Sequence, residues 1–139
     1  MKYNGVIQKK LSMLDDHVRR VQSRMSTVTF EEFRDDWVLR AMAERMLQVC
    51  AEIMIDVAER IISLEQAGPV EGAAASMVKL HDLGVLASPD PYRNIVRMRN
   101  LIVHEYESID PAILYEAVTN HTDDFLSFKA EIDAASWGE

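Results

Sequence analysis

Apolar residues recur at three- and four-residue steps along almost the whole chain, and this spacing limits the fold more than any other feature. From about Asp36 to Ala67 the run Trp37, Val38, Leu39, Ala41, Met42, Met46, Leu47, Val49, Ile53, Met54, Val57, Ile61, Ile62 and Leu64 covers much of a helix circumference. That predicts a central helix packed on two sides, ended by Gly68 and Pro69. Upstream, Ile7, Leu11, Leu14, Val18 and Val21 form one stripe and predict a first helix from about Tyr3 to Met25. Thr29 followed three residues later by Glu32 has capping-box form, which predicts a short helical turn before the long helix. A third helix is expected over about Val70 to Leu83, before Gly84. Pro91 suits the first position of a fourth helix, with Asp90 as its cap and its end near His104. Asp110 and Pro111 repeat that pattern and open a last helix through Leu114, Ala117, Phe125, Phe128 and Ile132 to the end. Strand-like alternation is absent, so the expected fold is all-α, an antiparallel bundle of four to five helices.

A chain of 139 residues is expected to form one domain over 1–139. With 48% apolar residues and only five glycines and four prolines, disorder is excluded as its native state. Cys50, the one cysteine, lies in the apolar run Met46, Leu47, Val49, Cys50; this excludes an internal disulfide framework and a cysteine-rich metal site. It reads as a small core residue, and the eight methionines as core filler. Met1 to Lys10 lacks an apolar stretch of signal-peptide length and no apolar run reaches 18 residues, so a soluble, cytoplasmic protein with no membrane partner is expected.

A formal charge of −8 argues against a nucleic-acid ligand, because phosphate binding needs cations. The cations are not evenly spread, however. Lys2, Lys9, Lys10, Arg19, Arg20 and Arg24 precede residue 26, and Arg93, Arg97 and Arg99 lie between Pro91 and His104, where no acid occurs. These two segments hold nine of the fifteen basic residues, and packed side by side they would give a positive surface on an acidic body.

On the fourth helix, Arg93, Arg97, Asn100 and His104 project within about 60° of one another and form a polar stripe. Ile95, Met98 and Ile102 lie opposite, with Tyr92, Val96, Leu101 and Val103 on the flanks. Arg99 breaks this pattern: it projects into the apolar arc, roughly 140° from His104. A guanidinium there needs an acid such as Asp36 or Glu44, a cleft between subunits, or an RNA phosphate. The helix carbonyl end favours imidazolium at His104, and an imidazole near neutrality suits proton transfer in phosphodiester cleavage. Arginine complements it by holding the phosphate and the charge that develops on it, while Asn100 can orient imidazole or substrate.

Arg99, Asn100, Leu101, Ile102, Val103, His104, Glu105, Tyr106 reads R-N-x-x-x-H-x-Y and resembles the HepT form of the HEPN ribonuclease motif. Ile109 and Asp110 after it, and the long preceding helix with Arg45 and Asp56, extend the likeness over most of the chain. The resemblance implies a metal-independent endoribonuclease toxin with no cofactor, in which Arg99 and His104 are catalytic, Asn100 supports them, and Arg93 and Arg97 contact RNA, possible substrates including tRNA. It implies attack by a ribose 2′-hydroxyl on the adjacent phosphodiester, and a homodimer whose two motifs line one cleft. It implies further a nucleotidyltransferase antitoxin, MntA, that AMPylates Tyr106. The alternative is a non-catalytic nucleotide- or RNA-binding helical partner of such a transferase.

Other constellations carry less. His81 with Asp82, and His121 with Asp123 and Asp124, lack metal-site spacing, so no metal is expected. Ser12 precedes His17, but no serine sits in a hydrolase elbow.

Overall fold

Three helices of this chain begin where a side chain replaces the backbone partners that the first turn lacks. Thr29 Oγ1 accepts from the Glu32 N–H at 3.2 Å while Glu32 Oε1 accepts from the Thr29 N–H at 3.2 Å, completing the expected capping box. Asp36 Oδ1 accepts from Val38 and Leu39 N–H at 3.0 and 3.2 Å, and Asp110 Oδ1 from Ala112 N–H at 2.8 Å. The computed structural model describes residues 5–104 and 109–136. These form α1 (Gly5–Met25), α2 (Phe30–Asp35), α3 (Trp37–Leu64), α4 (Ala73–Asp82), α5 (Asp90–His104), α6 (Pro111–Asn120) and α7 (Asp123–Ser136). Among the described residues there is no strand, and the antiparallel all-α bundle is as the spacing predicts.

Four boundaries differ from expectation. The stop of α3 lies before Gly68: Gln66 adopts a left-handed φ of 55°, with Gln66 N–H bonded to Ser63 O and Ala67 N–H to Ile62 O, both at 3.0 Å. A Schellman motif can thus close on a non-glycine residue when both bonds form. Helix α4 begins at Ala73 rather than Val70, because Gly72 at φ 97° cannot continue a right-handed helix. In α5, Asp90 is the first helical residue and Pro91 the second, the Arg93 N–H reaching Pro89 O at 2.9 Å; Asp90 pairs with Arg93 instead of capping. The expected last helix breaks at His121 into α6 and α7. Thr122, 3% exposed, turns inward there, and Gln22 Nε2 of α1 donates to Thr122 Oγ1 at 3.2 Å and Asp123 Oδ1 at 2.8 Å. Tertiary bonds fix this corner, so helical periodicity alone carries no sign of it.

The α1 stripe is buried as expected, from Ile7 through Val21 to Met25. It packs on α3, α6 and α7, whereas α5 packs on α3, α4 and α7. The two basic segments therefore do not pack side by side, the arrangement that would have joined them into one positive surface. Several α1 cations already face acids: Lys10 meets Asp56 at 2.8 Å, Arg19 meets Asp15 and Arg20 meets Asp16, each at 3.1 Å. The spine α3 buries Leu39, Leu47, Cys50, Met54, Ile61 and Ile62, but Trp37 is 71% exposed and Val38 57%. Burial pushes the Cys50 thiol up to about 12, so it packs as a neutral group.

Helix α5 is held at its start by Glu131 of α7. One carboxylate oxygen accepts from the Ala87 N–H at 2.8 Å and the other from the Tyr92 hydroxyl. Burial first, then that bond to Glu131, pushes the Tyr92 phenol well above its ordinary value, so it remains a neutral donor. Glu131→Ala leaves a 3%-exposed tyrosine without its acceptor and frees the loop before α5. The expected loss is about 1–3 kcal/mol, read as a lower urea midpoint with unchanged slope.

Candidate active site

The residues singled out on α5 fall on two sides of that helix. Arg97, Asn100 and His104 are exposed and Arg93 is half-buried. Arg93 pairs with Asp90, and Arg97 Nη1 donates to Asn94 Oδ1 at 2.8 Å, an amide that leaves the charge of Arg97 uncompensated. No ion pair holds Arg97 or Arg99 among the described residues. Two cations without an ion pair, on different faces of the helix, therefore remain on α5 although the chain is acidic overall.

Arg99 turns inward, into a cleft of about 290 Å³. Leu47 of α3, Ile95 and Met98 of α5, and Ala117 and Phe125 of α6 and α7 give it apolar walls, and Asn94, His121 and Asp124 supply its other polar groups. Arg99 Nε is shielded from solvent and has no hydrogen-bond partner among the described residues. Neither acid proposed from sequence takes that role: Asp36 caps α3, and no bond links Glu44 to the guanidinium among the described residues. A buried, unsatisfied cationic donor is costly, and an anion entering the cleft would relieve that cost.

The spacing of His121 with Asp123 and Asp124 suits no metal and assigns this histidine no other role. The corner between α6 and α7 carries it to the Arg99 cleft, with Nε2 3.5 Å from Glu116 Oε1 and Nδ1 4.0 Å from Asp124 Oδ2. Burial raises the carboxyl of Asp124, His121 opposing and Asp123 adding to the rise. Only the corner makes this wall, so no spacing rule in the sequence signals it. His81 is accounted for otherwise, its Nδ1 donating to Leu86 O at 3.0 Å. Asp56 sits on α3 between Lys10 and Arg60, away from the cleft residues; burial resists its ionisation, but these two cations together hold its carboxyl below the usual range. Among the described residues, no group of three or more His, Cys, Asp and Glu could hold a metal ion.

His104, the last residue of α5, is exposed and does not line the cleft. One chain thus points Arg99 and His104 in different directions, as their separation along the helix requires. Tyr106 and Glu105 lie outside the described residues.

A family model described as ribonuclease HepT-like matches residues 14–132 of this chain. The chain is 27% identical over 127 residues to the mRNA nuclease HepT of Shewanella oneidensis, covering 90% of this chain and 94% of that protein. It is 22% identical over 120 residues to the tRNA nuclease HepT of Aphanizomenon flos-aquae, covering 82% and 78%. Its fold superimposes with a TM-score of 0.86, at 26% identity, on the tri-AMPylated Shewanella oneidensis HEPN toxin in complex with MNT antitoxin, covering 95% of this chain and 99% of that one.

Proposed function

This chain belongs to the ribonuclease HepT-like family, and from that membership we propose that it is a HEPN toxin that cleaves RNA through Arg99 and His104 and is silenced by a nucleotidyltransferase antitoxin. The observation that carries the reading is Arg99: its guanidinium is half-buried in an open cleft, and its Nε has no hydrogen-bond partner among the described residues. Phosphate is the anion that an arginine fork fits best. Bound there, the scissile phosphate has its developing charge stabilised by Arg99, while His104 exchanges protons with the 2′-hydroxyl or the leaving oxygen. No step requires a metal. Asn100 orients the imidazole one turn away, and Arg93 and Arg97 contact flanking phosphates. The two catalytic groups diverge on one helix, so the working site is composite, with His104 of one protomer meeting Arg99 of another about a two-fold axis.

The 139 residues act as one domain, which the core shared by all seven helices supports. No helix of the described residues is long and apolar enough to cross a membrane, and the protein works in the cytoplasm, where its RNA is. The relative solved as a tri-AMPylated toxin with its MNT antitoxin supports AMPylation by an MntA-like partner, and the tyrosine of the motif, Tyr106, is the residue it would modify. Adenylyl groups placed beside the cleft would exclude RNA by bulk and like charge.

Incubation of the purified protein with single-stranded RNA and with DNA of the same sequence, in chelator, tests this reading. RNA should be cut to products bearing a cyclic phosphate and DNA left intact. A requirement for added metal, or cleavage of DNA, would contradict it. The exposed position of His104, apart from Arg99, favours one other reading, a non-catalytic module that binds RNA or nucleotide and serves the transferase; intact RNA after incubation with protein free of adenylyl groups would favour it.

A further inference from the structure

The Arg99 cleft carries more chemistry than a phosphate uses. A volume of about 290 Å³ lies at the small end of ligand pockets and suits one nucleotide rather than a length of chain. Its walls are apolar, as a base plane requires. Its polar groups are separated: the guanidinium comes from α5, and Asp124 stands on α7, half-buried. No lysine or arginine pairs with Asp124 among the described residues, and the His121 ring nitrogen nearest it lies at 4.0 Å, beyond hydrogen-bond distance, with the ring shared with Glu116. The carboxylate therefore keeps acceptor capacity for a ligand. Its position is fixed from behind, since Gln22 of α1 bonds Thr122 and Asp123 and holds the corner from which Asp124 projects.

We propose that this cleft is a single-nucleotide subsite for RNA, in which Arg99 holds the phosphate, Asp124 accepts from the exocyclic amino group of the base, and cytidine is preferred to uridine. The inference rests on reading Arg99 as a phosphate contact. Cytosine presents its N4 amino group as a donor, and a carboxylate is its natural acceptor. Uracil carries a carbonyl at the same place, which sets two acceptors against each other and leaves Asp124 desolvated without a bond. The two bases are alike in size, so packing against Ile95, Met98 and Phe125 contributes little to the choice.

The test uses wild-type protein and fluorescent 2′-O-methyl tetranucleotides of cytidine or uridine, which have no free 2′-hydroxyl and so stay intact. Tetracytidylate should bind about tenfold more tightly than tetrauridylate, the scale of one charge-assisted hydrogen bond. Asp124→Asn should bring that ratio below about twofold, and Arg99→Ala should weaken both ligands, each variant showing an unchanged circular dichroism spectrum. Equal binding of the two by wild type, or a ratio that survives Asp124→Asn, overturns the subsite even in a protein that cuts RNA. A tenfold ratio removed by Asp124→Asn, in a protein that cuts no RNA, retains the subsite and removes the ribonuclease reading. Parallel titrations with free CMP and UMP separate the two sources of ligand: discrimination there extends the subsite to free nucleotides, and its restriction to tetranucleotides means that the chain is needed.

Discussion

Arg99→Ala should slow RNA cleavage by about 10²–10³-fold and His104→Ala by about 10²–10⁴-fold, with the fold of both variants intact. On the proposed mechanism the two losses have different physical origins. Removing Arg99 takes away the cation that meets charge developing on phosphate oxygens in a cleft with apolar walls, where such an interaction is stronger than in open water. Lysine should not rescue it, because an ammonium lacks the fork that spans two oxygens. Removing His104 takes away proton transfer and leaves phosphate binding largely in place, so its loss should fall on kcat rather than KM. His104 is exposed at the end of α5, which is why its replacement should not disturb stability. Initial rates on a fluorogenic RNA, with thermal unfolding as the control, check both. Wild-type rates in either variant would remove that residue from the mechanism.

Phe128→Ala should cost about 3–5 kcal/mol, the range for removing a buried aromatic ring. Phe128 is fully buried on α7, its ring set edge-on to Tyr92 of α5 with centroids 5.4 Å apart. It therefore joins the helix that carries Arg99 and His104 to the one that carries Asp124. Domains of this size hold about 5–15 kcal/mol in all, so the variant should be close to unfolding at 37 °C. Met13→Ala, on the solvent face of α1 at 45% exposure, should change stability by less than about 0.5 kcal/mol. Urea titration of the pair checks this. A Phe128 variant as stable as the Met13 one would mean that α5 and α7 are not held together through this ring.

The sequence was most informative where one physical signal acts alone. Periodicity located the α1 stripe, and capping chemistry placed the starts of α2 and α6, because Thr29 and Asp110 each bond within three residues of themselves. Projection around α5 also identified Arg99 as a charge turned inward. Most of what the sequence did not show depends on contacts distant along the chain. The corner at His121 depends on Gln22, a hundred residues away, and the separation of the basic segments depends on which helices pack on α3. Gln66 in a left-handed turn ended α3 before Gly68 could, which residue preference does not anticipate. His121 and Asp124 were visible as residue types but not as parts of the Arg99 cleft, since only the break between α6 and α7 brings them there.

Complementation in trans asks most directly whether Arg99 of one protomer works with His104 of another. Arg99→Ala and His104→Ala proteins, each inactive alone, are mixed, exchanged by mild denaturation and refolding, and assayed on RNA. In a two-fold dimer each mixed pair retains one cleft with both groups native, so the mixture should recover about a quarter of wild-type activity. A mixture as inactive as its parents, with subunit exchange verified by mass, would contradict the composite site.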